Sequence, residues 1–108
     1  QHWYSTSVGI RHVGISFLYN TRTSSVAAEI YIVKQEIFDK LYSHKEYFES
    51  LCDGIDIDWK ALPEKKASRI LTYLDCDLTD ESLWENHYKW LIETGEIMLN
   101  ALQKTYKK

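Results

Sequence analysis

Val13-Gly14-Ile15-Ser16-Phe17-Leu18-Tyr19-Asn20-Thr21-Arg22-Thr23-Ser24-Ser25-Val26-Ala27-Ala28-Glu29-Ile30-Tyr31-Ile32 is the stretch that decides the fold. Val13, Ile15, Phe17 and Tyr19 alternate with Gly14, Ser16 and Leu18. Val26, Ala28, Ile30 and Ile32 alternate with Ala27, Glu29 and Tyr31. A period of two in β-branched and aromatic residues marks strands with one apolar side. A turn centred on Arg22 and Thr23 sets Tyr19 opposite Val26, Phe17 opposite Ala28 and Ile15 opposite Ile30. The bulky residues of both strands then share a face, and a slip of one residue would send one set to the other side.

Toward the N-terminus the pattern continues over residues 2–10. His2, Tyr4, Thr6 and Val8 alternate with Trp3, Ser5, Ser7 and Gly9. A turn centred on Ile10 and Arg11 puts Val8 opposite Val13, Thr6 opposite Ile15 and Tyr4 opposite Phe17. Neither turn has at its centre the Gly or Asn that a tight primed turn favours, so longer loops of the same parity serve equally well.

Toward the C-terminus the period changes. Ile37, Phe38, Leu41, Phe48, Leu51 and Cys52 recur at three- and four-residue steps, which predicts an amphipathic helix over 34–51 that Asp53-Gly54 ends. Ile55, Ile57, Trp59 and Ala61 alternate as a short fourth strand that Pro63 breaks, and residues 68–75 read as a fifth. Thr79 or Asp80 caps a last helix over 81–104. Its core stripe is Trp84, Tyr88, Leu91, Met98 and Leu102, and Gly95 on that stripe permits close approach. The expected fold class is α+β: a two-layer sandwich in the order β-β-β-α-β-β-α. A mainly antiparallel five-stranded sheet carries two helices on one face. Tyr4, Ile15, Phe17, Ile30, Leu41, Phe48, Leu91 and Met98 should meet in one core. Strand five should run parallel beside strand three, pairing Arg69 with Glu29 on the far face.

The 108 residues are one domain's worth of chain, so residues 1–108 read as a single domain. The abrupt start in strand-like sequence suggests a domain cut from something longer. Hydrophobic residues at 44% and charged residues at 27% exclude a disordered chain, and no apolar run is long enough to span a membrane. A net charge of -3 does not favour nucleic acid as the partner, although a local basic patch remains compatible with it. Cys52 and Cys76 fit no zinc or redox spacing and read as reduced thiols of a cytoplasmic protein.

Catalytic chemistry finds little support. There is no nucleophile elbow and no Gly-rich phosphate loop, and the four histidines lack metal-ligand spacing. The expectation is therefore no catalytic residue, no metal and no cofactor. A metal-dependent or degenerate nuclease using Asp56, Asp58 and Glu64 is the rival reading. It is disfavoured because Glu29 is followed by Ile30-Tyr31 where such a site needs a lysine. Lys60, Lys65, Lys66 and Arg69 form a local basic cluster beside Trp59. The basic tail Lys104–Lys108 complements the helix dipole. The far face of the first three strands sets small residues between Trp3 and Tyr31, as a platform for bases or a protein surface. The candidate binding residues are Trp3, Glu29, Tyr31, Trp59, Lys60, Lys66 and Arg69.

Several segments together resemble an uncharacterised prokaryotic domain family. They are Gln1-His2-Trp3-Tyr4-Ser5, Asn20-Thr21-Arg22, Glu29-Ile30-Tyr31-Ile32, Trp59-Lys60-Ala61-Leu62-Pro63, Lys66-Ala67-Ser68-Arg69-Ile70 and the run from Trp84 to Trp90. Members of that family occur alone or C-terminal to restriction-endonuclease-like nuclease domains. The family pattern has a helix before the first strand, so the resemblance implies a fragment lacking an N-terminal helix or domain, in a defence or DNA-transaction setting, and it carries over no catalytic residue. The expected function is a non-enzymatic accessory or recognition module with a nuclease-like domain or protein as partner. The other alternative is a homodimerising scaffold.

Overall fold

The computed structural model describes residues 2–7, 9–20, 22–52, 54–61, 68–76 and 79–108, with only the backbone described over residues 2–7. β1 (His2–Ser7), β2 (Val13–Asn20) and β3 (Ser25–Ile32) are followed by α1 (Gln35–Ser43) and α2 (Lys45–Ser50). Then come β4 (Asp58–Lys60), β5 (Ser68–Asp75), a 3-10 turn (Glu81–Leu83) and α3 (Trp84–Tyr106). The strand order is β1-β2-β3-β5-β4, and every neighbouring pair is antiparallel. The fold is α+β with an open antiparallel sheet of four strands of six or eight residues and the three-residue β4 at one edge.

Parity sets the register of the first three strands. Thr6 pairs with Ile15 and Tyr4 with Phe17. Ile15 pairs with Ile30, Phe17 with Ala28 and Tyr19 with Val26. The next strand across adds Ile70 opposite Ile30. Ile15, Ala28, Ile30 and Ile70 join Phe38, Leu41, Phe48, Met98, Ala101 and Leu102 in one buried cluster. All three helices therefore cover the same sheet face. Phe17 packs against this cluster, Leu91 is buried, and the side chain of Tyr4 lies outside the described residues.

Two expectations are corrected. Three α-helices cover the face instead of two, because the single helix expected over 34–51 breaks at His44, whose backbone (φ -113, ψ 31) leaves the helical region. β5 lies beside β3 but runs antiparallel to it. The chain crosses over through α1 and α2 to reach the edge position of β4, and β4 takes the parallel sense to β3. β5 then turns back into the space between them.

Asp80 caps the 3-10 turn, where its Oδ1 accepts from the Ser82 N–H at 3.0 Å and from the Ser82 hydroxyl at 2.6 Å. At Gly95, α3 comes close to β2. A Cβ there would stand 2.7 Å from the ring of Phe17.

Removing a core side chain should cost far more than removing one on the helix-free face. Ile30→Ala should cost about 2–5 kcal/mol and lower the melting temperature by about 10 °C or more. Tyr73→Ala, at a position half exposed on the other face, should shift it by a few degrees at most. Thermal denaturation of the two variants tests the register directly.

Candidate functional site

The register fixes what shares the helix-free face. Ser7, Gly14, Tyr31, Arg69 and Lys60 form one row across all five strands. Ser5, Ser16, Glu29, Leu71 and Asp58 form the next, and Trp3, Leu18, Ala27 and Tyr73 the third. Glu29, Tyr31, Lys60 and Arg69 are thus brought together on this face. The backbone of Trp3 sits opposite Leu18, but its side chain lies outside the described residues, as does Lys66. Trp59 is not with them. It turns to the helical face, donates its indole N–H to Glu49 Oε2 at 2.8 Å and stands edge-on to Phe48 at 5.1 Å and Phe38 at 6.1 Å.

The face is not the open platform of small residues that the pattern suggests. Ser16, Ala27, Glu29 and Leu71 are all buried. The ring of Tyr31 lies over Gly14, where any Cβ would collide with it. A missing side chain on one strand is filled by a large one on its neighbour.

Among the described residues of this face, Arg69 and Lys60 each stand beside a carboxylate. Arg69 Nη1 stands 3.6 Å from Glu29 Oε2, yet that oxygen accepts no hydrogen bond. Two effects oppose each other at Glu29. Burial raises its pKa, while Arg69 and then Lys60 lower it, and burial wins. The guanidinium is half exposed, so water screens much of its pull. Lys60 Nζ donates to the Tyr73 hydroxyl at 3.2 Å and lies 3.7 Å from Asp58 Oδ2. The described part of the expected basic cluster is therefore engaged with carboxylates. Beside it, Leu18, Asn20, Thr23, Ser25, Ala27, Tyr73 and Asp75 line a shallow groove of about 310 Å³.

Among the described residues, no group of three His, Cys, Asp or Glu side chains is placed to hold a metal ion. Asp56 is exposed before β4, Asp58 faces Lys60, and Glu64 lies outside the described residues. Neither cysteine is in a disulfide, and burial pushes the Cys52 thiol up to about 11, which keeps it protonated. No described helix is long and apolar enough to cross a membrane.

The feature that the sequence pattern hid is on α3. Trp84 is 48% exposed, Tyr88 61% and Ile92 51%. The stripe that does face the core is His87, Leu91, Thr94, Met98, Ala101, Leu102 and Thr105. At 3.6 residues per turn, each four-residue step overshoots by about 40°, so Tyr88 and Ile92 walk progressively off the buried arc. Trp84 opens the helix and remains half exposed there. The Tyr88 ring meets Tyr19 edge-on at 6.3 Å. Burial first, and Tyr88 second, push the Tyr19 phenol up to about 12. The result is a ridge of three large apolar side chains on successive turns. Glu81, Glu85, Glu93 and Glu96 are exposed along the same helix and its leading turn, and Lys89 is paired with Glu93 at 4.0 Å.

The chain belongs to the family described as Domain of unknown function (DUF4268), whose model matches residues 1–107. No curated protein matches it. Among solved structures, a chain of the "Crystal Structure of the ExsC-ExsE Complex" is similar over 93% of this chain and 75% of its own. The identity is 13% and the TM-score 0.42.

Glu29 gives a pH dependence whose sign can be worked out. Its folded pKa is raised, so the unfolded chain ionises first as pH rises. Between the ordinary carboxylate value and the raised folded value the native state holds more protons, and stability falls with rising pH. Glu29→Gln should remove that fall. The variant should be more stable than the parent at neutral pH, and the difference should vanish in acid below the ordinary carboxylate range. Urea denaturation across pH measures it.

Proposed function

We propose that this domain is a non-enzymatic recognition module that docks a protein partner on the exposed ridge of α3. The observation that carries the reading is the alignment of Trp84, Tyr88 and Ile92, each about half exposed or more, on one helix. Apolar side chains grouped in this way mark contact sites, and covering the exposed half of each would gain about 0.8–1.5 kcal/mol. Aromatic anchors of this kind dominate interface energetics. The acidic residues along the ridge favour a partner segment that combines apolar residues with Lys or Arg. The resemblance seen in the sequence supports a nuclease-like domain or protein as that partner, with this chain as its accessory. Two cysteines kept as thiols support a cytoplasmic setting.

The rival nuclease reading draws little from the geometry, since Asp58 already faces Lys60 and Asp56 stands exposed outside the strand. Incubated with magnesium or manganese, the protein should leave DNA and RNA intact. Cleavage that disappears in Asp58→Ala would contradict this.

A photo-reactive side chain in place of Tyr88, in the intact gene product, should cross-link to one basic and apolar segment of a different polypeptide or of a neighbouring domain. Tyr88→Asp should weaken that complex at least about tenfold without lowering the melting temperature, as expected for a hot-spot residue. Cross-links only to a second copy of this chain, or none at the ridge, would refute the proposal.

A further inference from the structure

The β1–β2 turn, the start of α1 and the end of α3 come together at one end of the sheet. Arg11, His12, Lys34, Lys40 and Tyr106, with Glu36 and Ile37, line a groove of about 400 Å³ there. Three permanent cations face one carboxylate, in a chain whose net charge is -3. Glu36 is a weak counter-charge. Its side chain is almost fully in water, and its 3.9 Å approach to Lys34 is at the limit of an ion pair. Lys40 Nζ stands 4.6 Å from the centre of the Tyr106 ring, a contact that holds the cation without neutralising it.

The backbone holds these groups in place. His12 has a positive φ of 69, a conformation rare for a residue with a side chain. Its carbonyl accepts from the Val33 N–H at 2.9 Å, which ties the turn to the chain just before Lys34. Strained backbone persists where the surroundings fix it, and it clusters at ligand sites. Lys34 is also the N-cap of α1 and gives that helix no side-chain cap, so the positive end of the helix adds to the field of the cations.

We infer that this groove binds a phosphate group. Arg11 offers a planar fork for two phosphate oxygens, and Lys34 and Lys40 offer point charges beside it. The inference is independent of the α3 ridge, since no residue is shared between them.

Titration of the full chain with inorganic pyrophosphate at constant ionic strength, followed by NMR, tests it. Saturable shifts are expected at Arg11, His12, Lys34 and Lys40. Lys40→Glu should weaken binding at least about tenfold, and Arg22→Glu, at the opposite end of the β2–β3 hairpin, should leave it unchanged. A short single-stranded oligonucleotide distinguishes the sources. If it binds more tightly than pyrophosphate, and Lys40→Ala lowers the salt slope by about one unit, the phosphate belongs to a nucleic-acid backbone. If pyrophosphate alone binds the groove, the ligand is a small phosphate compound. Shifts spread evenly over exposed lysines, or binding unaffected by Lys40→Glu, would overturn the inference.

Discussion

The row Ile15–Ile30–Ile70, paired across three strands and buried in one cluster with Met98, Ala101 and Leu102, is the constraint on which the rest of the structure depends. Because side chains alternate along a strand, fixing this row to the helical side fixes every other residue of the sheet. It places Glu29, Tyr31 and Arg69 on the far side, and it turns Trp59 inward beside Phe48. It also sets the rotation of α3. The helix commits Leu91, Met98 and Leu102 to the core, which leaves Tyr88 and Ile92 in water.

The same commitment divides the surface into three kinds of chemistry. On the helix-free face, cations are matched to carboxylates, and burial, not the neighbouring guanidinium, governs Glu29. On the α3 ridge the exposed groups are apolar with acidic neighbours. At the end of the sheet where the β1–β2 turn meets α1, cations outnumber acids. A charge that already has a partner contributes little to binding a new one, because the old pair must first be broken. The end groove holds three cations against the one exposed carboxylate of Glu36, and the α3 ridge is apolar, which makes them better candidates for recognition than the face whose sequence pattern stood out.

Much of the fold was legible in the sequence because strands and amphipathic helices leave short-range periodic traces. The pairing of Ile15 with Ile30 follows from parity alone, and the approach of Arg69 to Glu29 follows from the face each occupies. The direction of β5 was not legible. It depends on where the crossover through α1 and α2 delivers β4, which is a property of the whole sheet. The exposure of Trp84 and Tyr88 was hidden because apolar spacing of four matches a buried stripe and a ridge drifting off it equally well over two turns. The end groove joins residues 11–12, 34–40 and 106, and no local pattern reveals a cluster assembled from such distant positions. Trp59 misled because an aromatic beside lysines reads as a surface contact, whereas strand parity sends it to the core.

Hydrogen exchange on the native chain tests the central row most directly. If β3 is the strand on which the rest is built, the amides of Ala28 and Ile30, enclosed between β2 and β5, should exchange only through global unfolding. Those of the edge strand β4 should exchange through smaller openings. Amides of β3 that exchange as readily as those of β4, by a local opening well below the global unfolding free energy, would contradict the account.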